Sequence, residues 1–112
     1  MIDPAEPWLT ILGIGEDGPA GMTDASRAAL EAAELVFGGP RHLALAGAGS
    51  RGRAWPVPFD IAPVLAEAGR RVAVLASGDP FWFGAGSLLA AALPPGAWRA
   101  LPVPGTVSLA AA

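Results

Sequence analysis

Apolar runs of strand length alternate with alanine-rich stretches along the whole chain. WLTILGIG (Trp8 to Gly15) is a leucine and isoleucine run closed by glycines, which predicts a buried strand. TDASRAALEAAEL follows as a helix, with Thr23 or Asp24 placed to cap its first turn. LVFGG is a short second strand, and PRHLALAG a helix with Pro40 at its start and Gly47 at its stop. RAWPVP is a third extended piece whose two prolines predict limited pairing. DIAPVLAEAGR predicts a helix from Pro63 in its first turn to Gly69 at its end. RVAVLAS, apolar at every other position and between, is the strongest strand signal in the chain. GAGSLLAAALPPG predicts a helix stopped by Pro94 and Pro95, AWRALPVPG a fifth strand, and TVSLAAA the opening of a further helix.

Strands alternating with helices imply right-handed βαβ units and a sheet covered on both faces. The expected fold class is α/β, a three-layer domain with a mostly parallel five-stranded sheet, occupying residues 1–112 without a repeat or a linker. The last residues stay inside a helical pattern, so a boundary within a longer protein is expected there. In such sheets ligands bind beyond the carboxyl ends of the strands. Three loops fall at that edge: GIGEDGPAG after strand one, SGDPFWFGAG after strand four and PGTVS after strand five.

Composition narrows the class. At 112 residues with 53% hydrophobic and 15% charged positions, the chain is one small globular domain rather than a disordered one. Pro and Gly break each apolar run well short of the ~20 residues that cross a bilayer. MIDPAEPW has acids and prolines where a secretory leader has a basic then apolar stretch, and there is no cysteine for a disulfide or a thiolate metal site. A cytoplasmic protein is expected. The formal charge of −3 gives no broad footprint for nucleic acid. All seven basic residues are arginines, at 27, 41, 51, 53, 70, 71 and 99, and guanidinium suits two-pronged contacts with carboxylate or phosphate. Phe81 to Phe83 with Trp55 and Trp98 offer more bulky apolar surface than one small core hides, which leads to the expectation of a homodimer.

GIGEDG fits the dinucleotide fingerprint G-x-G-x-x-G in letters only. Pro19 and Gly21 delay the helix to about Thr23, Glu16 and Asp17 would face phosphate with carboxylates, and no acid closes strand two to hold a ribose. The loop reads instead as part of a cleft that avoids phosphate. Across it, Asp79 can accept from a hydroxyl or an ammonium, or can simply hold a turn. Trp82 can pack on a flat ligand, while Phe81 to Phe83 can equally serve domain or subunit packing. His42, the one histidine, has no cluster of other ligands around it in sequence and reads as a structural helix position.

Taken together, LGIGEDGPAGMT, VFGGPRHLALAG, LASGDPFWFGAGSLL and the PGTVS loop resemble the tetrapyrrole (corrin and porphyrin) methylases, from about Trp8 to Ala112, and specifically their precorrin-methylating branch. The resemblance implies S-adenosyl-L-methionine as cofactor and C-methylation of a precorrin tetrapyrrole in cobalamin biosynthesis. It implies cofactor contacts at Gly78, Asp79, Trp82, Val107 and Ser108. Where the family usually has Pro after the second glycine of the first loop, this chain has Glu16. Gly13, Gly15 and Glu16 are expected on the substrate side, with Arg41 as the first candidate for an acetate or propionate arm and Arg51 and Arg53 behind it. The family also implies a second α/β domain that closes the cleft, and a homodimer. Two other readings stay open: a related methylase acting on RNA ribose or on a modified histidine, and a non-catalytic binding or dimerisation module.

Overall fold

The structure is a computed structural model that describes residues 7–77 and 85–101. Its frame is a five-stranded, all-parallel sheet of β1 (Leu9–Ile14), β2 (Leu35–Gly38), β3 (Gly52–Ala54), β4 (Val72–Ser77) and β5 (Trp98–Leu101), in the order β3-β2-β4-β1-β5. The run with the strongest strand signal is the central strand. β4 pairs with β1 from Leu9↔Val72 to Ile14↔Ser77 and with β2 from Leu35↔Val72 to Phe37↔Val74. Glu34 pins the second register from outside the strands. Its amide donates to the Arg71 carbonyl at 2.7 Å, and its carboxylate accepts from the Arg71 amide at 3.0 Å.

Four helices cover the sheet: α1 (Asp24–Ala32), α2 (Pro40–Ala46), α3 (Ala62–Leu65) and α4 (Ala85–Ala92). Because side chains alternate along a strand, each strand feeds two separate cores. Leu12, Ile14, Val36, Ala73 and Leu75 pack with Leu30 of α1 and Ala46 of α2. On the opposite face Leu9, Ile11, Leu35, Phe37, Val72 and Val74 pack with Val64 of α3 and Leu89 of α4. Helices α1 and α2 carry the chain in one direction across the sheet and α3 and α4 bring it back, so right-handed crossovers place each pair on its own face.

Element ends follow the sequence closely, with two exceptions. Thr23 is the cap of α1, its hydroxyl accepting from the Ser26 amide at 3.1 Å, and Gly47 ends α2 at φ 65°, a conformation that disfavours any side chain. The helix expected from Pro63 to Gly69 is a single turn instead. Past Leu65 its bonds tighten to the i→i−3 spacing (Glu67 to Val64, Ala68 to Leu65), and the segment has turned out of the helix before Gly69. The third strand is Gly52–Ala54 rather than the proline-bearing stretch after it, and it pairs only with β2. Trp55 stacks against Phe37 and Phe59, with ring centroids 5.7 and 4.9 Å apart, and Trp98 packs on the same core. Both tryptophans are thus partly buried against the chain's own core. Val57, Phe59 and Leu88 are the large apolar side chains left exposed among the described residues.

Arg51 secures the far end of α1. Its Nη1 donates to the carbonyls of Leu30 at 2.9 Å and Ala33 at 2.8 Å, and more distantly to Glu31, so a half-buried cation sits on the orphan carbonyls of a helix C-terminus. Arg51→Met should lower unfolding free energy by about 1.5–3 kcal/mol in urea titrations, the range for hydrogen bonds to a charged group. Arg53 is exposed and reaches only the Ser50 and Gly52 carbonyls beside it, so Arg53→Met should cost less than about 0.5 kcal/mol.

Candidate functional site

Parallel strands with helices on both faces leave one edge for ligands, where the carboxyl ends open into loops. In this sheet β2 departs toward β3 over one face, and its neighbour β4 departs toward β5 over the other. The connections diverge between β2 and β4, and a crevice follows from that divergence. Gly38 and Gly39 border it from β2, and Gly15 closes β1 on the far side of β4. Among the described residues, a side chain added at Gly15 or at Gly39 would meet nothing within 4 Å. Gly38 is closed in by contrast: a Cβ there would lie 3.2 Å from the Leu75 Cβ and 3.5 Å from that of His42.

The loop after β1 is held down by backbone. The Gly18 amide donates to the Gly15 carbonyl at 3.0 Å, and a short 3-10 turn over Gly18–Gly21 then leads to the Thr23 cap. Gly18 has φ 59°, and a Cβ there would come 2.8 Å from the Leu45 carbonyl oxygen of α2. This loop therefore docks on α2 at a spot only glycine fits. Arg27 ties its other end, donating through Nη1 to the carbonyls of Pro19 at 3.1 Å and Met22 at 2.9 Å. As the sequence suggested, the α-helix begins well past the glycines, so no helix N-terminus follows them to receive a pyrophosphate.

On that fixed loop Glu16 forms an ion pair with Arg41 in the first turn of α2. Their side chains are 75% and 71% exposed. An exposed pair of this kind is worth only about 0.2–1 kcal/mol. The contact is informative for its position: Glu16 lies just past β1 and Arg41 just past β2, so the pair crosses the end of β4, which runs between them. No sequence signal marks two opposite charges this far apart as partners.

The arginines separate by what they hold. Arg51, expected near the rim, is committed to the end of α1, and Arg53 to its own backbone. Arg99 donates through Nε to the Thr10 hydroxyl at 3.1 Å and lines a cavity of about 340 Å³ with Trp8, Ala33 and Arg71, at the amino-end edge of the sheet away from the crevice. Arg41 alone of the expected substrate arginines stands at the carboxyl edge with a side-chain partner. Of the remaining expected site residues, Gly13 is buried within β1 opposite Ala76, Gly15 is half-buried and Glu16 is exposed. Gly78, Asp79, Trp82, Val107 and Ser108 lie outside the described residues.

Comparison with known proteins bears on this edge. The profile of the Tetrapyrrole (Corrin/Porphyrin) Methylases matches residues 9–112. The chain belongs to the tetrapyrrole methylases. It is 46% identical over 109 residues to a precorrin-6Y C(5,15)-methyltransferase [decarboxylating] of Sinorhizobium sp, covering 94% of this chain and 26% of that protein. It is 38% identical over 87 residues to a cobalt-precorrin-7 C(5)-methyltransferase of Salmonella typhimurium, covering 74% of this chain and 43% of the relative. The solved precorrin-6Y methylase of cobalamin biosynthesis from Archaeoglobus fulgidus superposes with a TM-score of 0.65 at 26% identity, over 85% of this chain and 52% of that one. The chain thus spans about a quarter of the length of the Sinorhizobium relative. The α/β architecture expected from the sequence is the tetrapyrrole methylase architecture.

Gly18→Ala tests whether the first loop is set by this docking. Left-handed backbone and the approach to the Leu45 carbonyl should together cost about 1–3 kcal/mol in chemical denaturation. Gly15→Ala, with nothing within 4 Å of its Cβ among the described residues, should stay within about 1 kcal/mol of the parent.

Proposed function

We propose that this chain is the N-terminal part of a methyltransferase that C-methylates a precorrin macrocycle in cobalamin biosynthesis, with S-adenosyl-L-methionine as methyl donor. The observation that carries the reading is the 46% identity, over nearly the whole chain, to a relative named for that reaction. Membership of a methylase family implies a methyl donor. One feature of the described edge supports a sulfonium nucleotide: at Gly15 and Gly39 there is no Cβ, and among the described residues nothing lies within 4 Å of where one would stand. The bound donor supplies an electrophilic methyl group, and the ring carbon of the macrocycle supplies the nucleophile.

The task left to the protein is alignment, for which effective molarities on the order of 10⁵–10⁸ M are available, and no acid-base dyad is required. Gly78, Asp79 and Trp82 after β4, with Val107 and Ser108 after β5, are assigned to the donor. Asp79 accepts from its ribose or ammonium, and Trp82 packs on its adenine. Gly13, Gly15 and Glu16 of the first loop border the macrocycle, and Arg41 receives one of its carboxylate arms through a charge-assisted hydrogen bond. One wall cannot hold two ligands in line. A second α/β domain therefore completes the cleft in the full-length protein, which works in the cytoplasm as a homodimer. Among the described residues no helix is long and apolar enough to cross a membrane.

The direct test is to incubate the full-length protein with the donor and a precorrin-6Y-type substrate and to look for a methylated corrin by mass spectrometry. Asp79→Ala should weaken donor binding more than tenfold by calorimetry, about 1.4 kcal/mol. Unchanged affinity would remove Asp79 from the site and return it to a turn-forming role.

A further inference from the structure

We propose that the Glu16 carboxylate is a placeholder for a ligand carboxylate at Arg41, so that a carboxylate arm of the tetrapyrrole takes Arg41 over from Glu16 on binding. The inference rests on the reading of the ligand as a polycarboxylate macrocycle, and goes beyond it in giving Glu16 a competing role. Three observations lead to it. The first is contrast: Arg27, Arg51 and Arg53 bond backbone carbonyls, and Arg99 bonds the Thr10 hydroxyl at the amino-end edge, whereas Arg41 bonds an acidic side chain at the carboxyl edge. Among the described residues Glu16 is its only hydrogen-bond partner. A side-chain partner leaves by rotation.

The second is independence. The loop carrying Glu16 is fixed to α2 through Gly18 against Leu45 and closed on itself by the Gly18 to Gly15 hydrogen bond. Loss of the ion pair therefore leaves the loop where it is, and the exchange needs no backbone motion. The third is position and exposure. The pair crosses the carboxyl end of β4, between the strands that flank it, and both side chains stand mostly in solvent, so an incoming acid arm meets Arg41 without desolvating a buried charge. While Glu16 remains in place it neutralises Arg41 and repels a second anion. An arm that reaches Arg41 with both carboxylate oxygens can replace it, and a neutral or singly anchored ligand gains nothing by doing so. Glu16 thus makes the edge selective for acidic arms that arrive in the right place.

The test uses the full-length protein and an octacarboxylate porphyrin as probe, with binding followed by porphyrin fluorescence. Glu16→Gln should tighten binding about three- to tenfold, and Glu16→Ala should do the same, which separates loss of the charge from any effect of the amide. Arg41→Gln should weaken binding at least fivefold, and the Glu16→Gln, Arg41→Gln double variant should match Arg41→Gln within about twofold. Unchanged or weaker binding by both Glu16 variants, with Arg41→Gln still weakened, overturns the placeholder and leaves Arg41 as a carboxylate receptor. Equal affinity of Arg41→Gln and the parent, or no saturable binding to the parent, overturns the placeholder together with the assignment of a polycarboxylate ligand to this edge.

Discussion

A central parallel strand has no face and no edge that water can satisfy, and that requirement on β4 organises the rest of the chain. Val72, Ala73, Val74 and Leu75 are buried whichever way they point, and both backbone edges are bonded, to β1 on one side and β2 on the other. Parallel neighbours cannot be joined by a tight turn, so each needs a crossover helix, and two helices on each face are what cover β4. With β1 and β2 on its two sides, the sequence must leave β1, pass over β4 to reach β2, and later return. The crevice at the carboxyl edge is a consequence of that route.

The same route accounts for what the sequence disclosed and what it withheld. Strong apolar runs made β1, β4 and β5 legible, and capping chemistry made Thr23 and Gly47 legible, because these signals are local. The length of α3 was not. Pro63, alanines and a terminal glycine fit a longer helix, but only the first turn presents apolar residues, Val64 and Leu65, to the core, and past it the bonds tighten to i→i−3. The carboxyl-edge loops were legible as candidates from the α/β pattern alone. Their pairing was not, since the Gly18 approach to Leu45 and the Glu16 contact with Arg41 join segments that only the fold brings together.

Residue type was a weaker guide than placement. Seven arginines and no lysine suggested acid recognition, yet Arg27 and Arg51 serve the fold. Arg51 occupies carbonyls that a helix end leaves free, and Arg27 organises the turn before α1. Guanidinium suits both duties for one reason: a planar fork of donors satisfies several oxygens at once, whether they belong to backbone or to ligand. What distinguishes Arg41 from these is an acidic side-chain partner across the carboxyl edge of the sheet, and among the described residues no backbone oxygen claims it.

This distinction bears on how a small α/β domain can keep a rigid scaffold and an adaptable rim in the same few residues. At the end of the first loop that carries Glu16, rigidity comes from backbone: a left-handed glycine seated on a carbonyl and a closed turn, neither of which depends on salt or on charge. The rim charges sit on that base but contribute little to holding it, because an exposed ion pair is screened and weak. A buried pair in the same place would lock the edge and resist exchange, since breaking it strands a charge in low dielectric. Exposure, which makes the Glu16–Arg41 contact a poor source of stability, is therefore the property that leaves Arg41 available for recognition.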